Sequence, residues 1–186
     1  QRQLELLREM GCNAIRTAHN APAPELLELC DRMGFMVMDE AFDAWGTMAR
    51  DYVPNDYSKD FPKWHKRDVL ALVRRDRNHP SSIIWSSGNE IADQRQPDGV
   101  KVAAMLRDIF HAEDPTRPVA GNLDFPYSVR NGFARGFDLI GRSYKPHLYA
   151  EDHALEPPRP VFGSETASTI SSRGEYYFPA TVRPPV

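Results

Sequence analysis

The chain has 186 residues, 41% of them hydrophobic and 26% charged, with a formal net charge of −3. That length supports one domain with a sizeable core. The slightly acidic balance and the lack of a Lys/Arg run argue against a nucleic-acid surface or an anionic membrane partner, and no apolar segment approaches the roughly 18 residues that span a bilayer. Cys12 and Cys30 are too few for a disulfide framework and lie beside helical apolar positions, so both are expected as buried free thiols without catalytic or metal-binding roles.

Leu4, Leu7 and Met10 keep helical spacing from the first residues on, and Gly11 ends that helix. Asn13 to His19 reads as a short strand with Arg16 and His19 near its carboxyl end, and Pro22 and Pro24 punctuate the loop after it. A helix from Glu25 to Met33 is stopped by Gly34, and a strand from Phe35 to Met38 delivers Asp39 and Glu40. A polar connection containing Pro54, Asn55 and Asp56 leads to a helix over roughly Pro62 to Arg77, where Val69, Leu72 and Val73 make an apolar stripe. Asn78-His79-Pro80 ends it, because the residue before proline avoids helical geometry.

Ser82-Ile83-Ile84-Trp85-Ser86-Ser87-Gly88-Asn89-Glu90 is an apolar, β-branched run that turns into Gly-Asn-Glu, the pattern of a buried parallel strand ending at an open mouth. A helix around Val102 to His111 follows, then strands at Pro118 to Asn122, Asp138 to Tyr144 and Pro160 to Glu165. Strands alternating with helices imply right-handed parallel β/α units. Six such units without a Gly-rich phosphate turn predict an α/β fold, a partial (β/α)8 TIM barrel with about six of its eight units. The chain opens on a helix that should follow a strand and has no initiator Met, which reads as a piece of something longer, lacking the first and last strands.

In such barrels chemistry collects at the carboxyl ends of the strands. Those ends present Arg16, His19, Asp39, Glu40, Asn89, Glu90, Tyr144 and Glu165. Glu90 and Glu165 end strands three units apart and would face each other across the mouth, the arrangement glycoside hydrolysis requires: one carboxyl protonates the leaving oxygen while the other attacks or activates water. Glu90 alone would also fit a salt-bridging loop residue. Asp39 and Glu40 are neighbours in a strand, so only one can face the centre. Trp85 reads as packing, and Asp76, Arg77 and His79 as helix-end scaffolding.

Six segments, in this order and spacing, resemble glycoside hydrolase family 2, in particular its β-galactosidases. They are Gly11-Cys12-Asn13-Ala14-Ile15-Arg16-Thr17-Ala18-His19-Asn20, Cys30-Asp31-Arg32-Met33-Gly34, Met38-Asp39-Glu40-Ala41, Arg75-Asp76-Arg77-Asn78-His79-Pro80-Ser81, Trp85-Ser86-Ser87-Gly88-Asn89-Glu90 and Gly163-Ser164-Glu165-Thr166-Ala167-Ser168. The resemblance covers nearly all of the chain, so that residues 1–186 are expected as one partial catalytic barrel. It implies Glu90 as general acid/base and Glu165 as nucleophile. It implies Asn89 as the hydrogen-bonding partner of the sugar 2-hydroxyl, His19 as a sugar contact, Tyr144 as a phenol near the nucleophile and Arg16 as the cation supporting the nucleophile's charge. On the residues alone the alternatives are a satisfied core histidine for His19, an ordinary cleft wall for Tyr144, and a structural partner of Asp39 or Glu40 for Arg16.

One departure stands out. The large metal-dependent β-galactosidases carry a Glu-x-His pair just after the Asp-Glu strand, where this chain has Asp43-Ala44-Trp45. Tryptophan cannot coordinate a cation, so no catalytic magnesium and no other cofactor is expected, with Trp45 as a sugar-stacking wall. The resemblance implies a retaining exo-β-glycosidase acting on terminal β-galactosides, with a carbohydrate substrate, flanking β-sandwich domains and a periplasmic or secreted setting. β-Glucuronidase and β-mannosidase share the scaffold, although no Asn-Lys pair is present here to bind a sugar carboxylate. An inactive carbohydrate-binding fragment is the reading of a different class.

Overall fold

The structure, a computed structural model, describes residues 1–46, 55–155 and 159–166. Pro54 of the polar connection, Ala167 and Ser168 of the last motif, and the remainder of the chain to residue 186 lie outside the described residues. The elements run α1 (Arg2–Glu9), β1 (Ala14–Arg16), α2 (Pro24–Met33), β2 (Met36–Glu40), α3 (Phe61–Asp76), β3 (Ser82–Asn89), α4 (Gly99–Glu113), β4 (Val119–Leu123), β5 (Leu139–Ser143), α5 (Tyr149–Leu155) and β6 (Val161–Glu165). All strand pairs are parallel and the strands lie side by side in sequence order, β1 to β6. This is the predicted partial (β/α)8 barrel, with six of the eight strands.

The glycine stops act as expected. Gly11 and Gly34 adopt φ of +88° and +73°, left-handed values that other residues reach at a cost. β1 is shorter than the predicted strand because Thr17 turns its hydroxyl onto the Met38 carbonyl (3.4 Å) and the Glu40 amide (3.1 Å). The Asn20 amide then closes a turn on the Thr17 carbonyl at 3.2 Å. The helix at Tyr149–Leu155 was not anticipated: seven residues with one buried side chain, Asp152, give no apolar stripe to read.

Packing is divided between two apolar groups. Leu4, Leu27, Cys30, Phe35 and Val37 bind α1 and α2 to the first two strands. A larger group, including Trp45, Phe61, Val69, Leu72, Trp85, Phe110, Phe133 and Phe137, fills the layer between the remaining strands and helices. Trp85 is packing, as read: fully buried, it stacks on Phe110 and donates its indole N–H to Asp114 at 3.0 Å. Both cysteines are free, but only Cys30 is buried; Cys12, in the turn between α1 and β1, keeps partial exposure. The Asp31 carboxylate accepts from the Ser81 amide (2.9 Å) and pairs with His79 (2.6 Å), so these motif residues tie α2 to the start of β3.

Alternation along β2 settles which acidic neighbour faces the centre. Asp39 pairs in register with Trp85 and Glu40 with Ser86. Trp85 and Asp39 point to the helix layer, whereas Glu40 and Ser86 point inward and meet, Ser86 Oγ donating to Glu40 Oε2 at 2.8 Å.

Candidate active site

Arg16, at the end of β1, is the hub of the mouth. Its Nε and Nη2 fork onto Glu40 at 2.8 and 3.0 Å, Nη2 also reaches Asn89 Oδ1 at 2.7 Å, and Nη1 donates to Glu165 Oε1 at 2.9 Å. β1 and β6 are the two edges of the sheet and share no ladder. Arg16 nevertheless joins their carboxyl ends, also lying 3.4 Å from the Ser164 carbonyl. The two roles left open for it coexist, since one guanidinium serves Glu40 and Glu165 together.

His19 presents Nδ1 to Glu40 Oε1 at 2.9 Å and Nε2 to Glu165 Oε1 at 3.7 Å. A third of its side chain is exposed, so it is a cleft residue and not a core one. The hydrogen bond to Glu40 is the main reason its pKa is raised, with burial opposing and the Asp43 charge adding.

The Tyr144 phenol donates to Glu165 Oε2, and its backbone N–H donates to the Glu165 carbonyl at 2.6 Å. Burial by itself would raise the Glu165 pKa and is the largest single influence on it. Tyr144 and Arg16, with the charge on His19, outweigh burial, so the carboxyl sits below its ordinary value. Glu90 is shifted the other way. Burial first, then the charges of Asp124 and Glu165, push it up, against smaller opposing effects of Ser143 and His19. One of its carboxyl oxygens, Oε1, is buried and accepts no hydrogen bond. Opposite shifts of two carboxyls at one mouth are the pattern from which acid and base roles are divided between paired carboxylates.

Backbone geometry supports the placement. Glu90 and Tyr144 are the two described non-glycine residues with positive φ, +46° and +57°. Each follows a strand and turns its side chain back over the mouth; left-handed non-glycine residues persist where the surroundings hold them. Glu90 is held by its N–H on the Asn122 carbonyl at 2.8 Å. Before it, Gly88 admits no side chain, because a Cβ there would lie 2.5 Å from Ile91 and 2.8 Å from the Trp45 indole nitrogen. The Gly-Asn-Glu order is thus a packing requirement as well as a chemical one.

That contact corrects the expectation for Trp45. The ring is 1% exposed, packs among Phe61, Phe133 and Phe137, and donates Nε1–H to the Ser87 carbonyl at 2.7 Å. It has no open face for a sugar; it braces β3 from behind, because its indole fits the space left by Gly88. Nor does it supply a metal ligand, and among the described residues no three His, Cys, Asp or Glu side chains converge to hold an ion. The residues here do not fit the magnesium site of the metal-dependent members. Glu40 is the residue the sequence undervalued. It is fully buried and receives Arg16, His19, Ser86 and, at 2.8 Å, Asn122 Nδ2. Strand alternation carried the signal, but it could not say which of Asp39 and Glu40 pointed in.

This arrangement agrees with comparisons against known proteins. Residues 1–169 match the family description "Glycosyl hydrolases family 2, TIM barrel domain". The chain is 37% identical over 212 aligned positions to Beta-galactosidase BoGH2A of Bacteroides ovatus, covering 97% of this chain and 25% of that protein. It is 34% identical over 160 positions to a Beta-glucuronidase of Paenibacillus borealis, covering 83% of this chain and 26% of that one. Among solved structures it superposes on a glycosyl hydrolase family 2 member from Bacteroides cellulosilyticus with a TM-score of 0.80 at 37% identity, covering 88% of this chain and 21% of that chain. The chain thus spans about a quarter or less of the length of these relatives. With the sheet order, the strand-end residues and the match over residues 1–169 in agreement, the chain belongs to glycoside hydrolase family 2.

Proposed function

We propose that residues 1–186 form part of the catalytic barrel of a retaining exo-β-glycosidase that removes terminal β-galactosyl groups. The observation that carries this reading is the opposite displacement of two neighbouring carboxyls, Glu90 raised and Glu165 lowered, at one strand-end mouth. Glu165, held ionised by Arg16 and Tyr144, attacks the anomeric carbon; Glu90 gives its proton to the leaving oxygen. The glycosyl ester is then hydrolysed by a water that Glu90, now a carboxylate, deprotonates. Asn89, bonded to Arg16, and His19, 3.7 Å from Glu165, are the groups at the mouth assigned to the sugar hydroxyls. The relatives extend well beyond the matched region, which is consistent with the flanking β-sandwich domains expected of the family.

A neutral sugar is favoured because the basic side chains beside Glu165, Arg16 and His19, are already engaged by Glu40 and Glu165. A second reading, β-glucuronidase, is favoured by the relatives that bear that name. Chromogenic β-galactoside, β-glucuronide and β-mannoside offered to the complete protein separate the readings. The expected result is fastest turnover of the galactoside, with the β-anomer as first product by proton NMR. Preference for the glucuronide would overturn the sugar assignment. Early release of the α-anomer would overturn the retaining one. Binding without turnover would leave only a carbohydrate-binding role.

A further inference from the structure

Five hydrogen bonds converge on the side chain of Glu40, and they come from three other strands. Arg16 supplies two and His19 one from the end of β1, Ser86 one from β3 and Asn122 one from β4, all between 2.8 and 3.0 Å. The carboxylate itself comes from β2 and is fully buried. Its backbone N–H is fixed by the Thr17 hydroxyl at 3.1 Å, so the strand cannot slide. Arg16 and His19, both in contact with Glu165, are therefore held on their far sides by this one group. Ser86 and Asn122 add neutral donors, which fit an acceptor-only carboxylate and would be poorly matched by an amide.

We propose that Glu40 is a positioning residue of the reaction: it clamps Arg16 and the His19 ring against Glu165, so that the nucleophile's orientation and the groups beside it are set from beneath the cleft floor. The inference rests on the reading of Glu165 as nucleophile. Glu40 does not reach the reacting bond. Its own two oxygens are filled by donors, Oε2 by Arg16 Nε, Ser86 and Asn122 and Oε1 by Arg16 Nη2 and His19. Arg16 donates to Glu165 through Nη1 while Nε and Nη2 are occupied by Glu40, which fixes the plane of the guanidinium; a bidentate fork is the arrangement that gives such fixity. The ionisable groups around His19 are Glu40, Asp43, Arg16 and Glu165, with Glu90 close enough to feel its charge. Of these, only Glu40 is bonded to Nδ1 as an acceptor within 3 Å, so removal of its charge acts first on the protonation of that ring.

The test uses Glu40→Gln in the complete protein with a 2-deoxy-2-fluoro-β-galactoside, which accumulates the glycosyl-enzyme. The label is expected on Glu165 in both wild type and variant, forming about 10²-fold more slowly in the variant, the scale of a misplaced reacting group. The apparent sugar affinity should change far less than this rate. Ring NMR should show His19 titrating above the ordinary value near 6.5 in the wild type and falling toward it in Glu40→Gln. A label on another residue would sink the nucleophile reading itself. A label on Glu165 at the wild-type rate, or an unmoved His19 titration, would sink the positioning role alone, as expected if Glu40 merely stabilised the fold. Should Glu40→Gln fail to fold, the wild-type titration still decides: a His19 that titrates at or below 6.5 overturns the clamp.

Discussion

Buried carboxylates occur on both faces of this sheet and meet opposite surroundings. At the mouth, Glu40 is filled by donors from β1, β3 and β4, and Glu165 by Arg16 and Tyr144. In the layer between β2 and α3, Asp39 is just as buried, yet neither of its oxygens meets a donor. Burial, then the negative charge of the neighbouring Asp76, push its pKa up to about 8. Asp76 itself is gripped by Arg75 through two bonds of 2.6 Å, so that arginine's fork is spent. The lesson is that equal burial leaves a carboxyl satisfied where donors converge and pushes it toward its neutral form where they do not.

The sharpest way to break the comparison is to empty the mouth. Glu165→Ala should lower kcat on the order of 10⁴-fold or more, the scale of losing a group that acts at the reacting bond. Glu90→Ala should lose about 10²–10⁴-fold, most for poor leaving groups that need the proton. Activated aryl glycosides measured beside simple alkyl glycosides check the order; equal losses on both would remove Glu90 from the acid role.

The next effect concerns the wall between the two faces. Trp45→Ala should destabilise by about 3–5 kcal/mol through the cavity it leaves. Trp45→Phe should cost only about 1 kcal/mol, mainly the lost bond to the Ser87 carbonyl. Denaturant titration reads both. The KM for a galactoside should be unchanged in Trp45→Phe, whereas a raised KM would return this ring to the cleft.

The smallest effect lies in the helix layer. The folded Asp39 titrates near 8, far above an unfolded aspartate near 3.9. Between those values the unfolded chain gives up its proton while the folded one keeps it. Stability from this group is therefore fully present below about pH 4, declines as pH rises and is lost above about 8. Asp39→Asn removes that dependence, because an amide does not titrate. Thermal midpoints measured from pH 5 to 8.5 should fall further in the wild type than in the variant, by up to about 10 °C. Parallel curves would mean that Asp39 is already ionised.

Local patterning made much of the barrel legible. Helical spacing, the Gly11 and Gly34 stops and the run from Ser82 to Glu90 placed four helices and β3 within a few residues, because each depends on neighbours in sequence. The helix at Tyr149–Leu155 escaped because its positions are mostly polar. Of the predicted site, the strand-end residues Arg16, His19, Asn89, Tyr144 and Glu165 do come together. Trp45 does not, because its indole is drawn into the space that Gly88 leaves on β3, a contact between positions 43 apart in sequence.

What the sequence determined by itself was periodicity and order: parallel β/α units, and polar residues at each strand's carboxyl end. Those follow from backbone rules that act over a few residues. What only the tertiary structure decided was sidedness and electrostatics. Whether Asp39 or Glu40 faced inward, whether Trp45 was wall or core, and what shifts the pKa values of Glu90 and Glu165 in opposite directions all depend on groups from distant strands. Burial and converging charge are properties of the assembled sheet, and no local pattern encodes them.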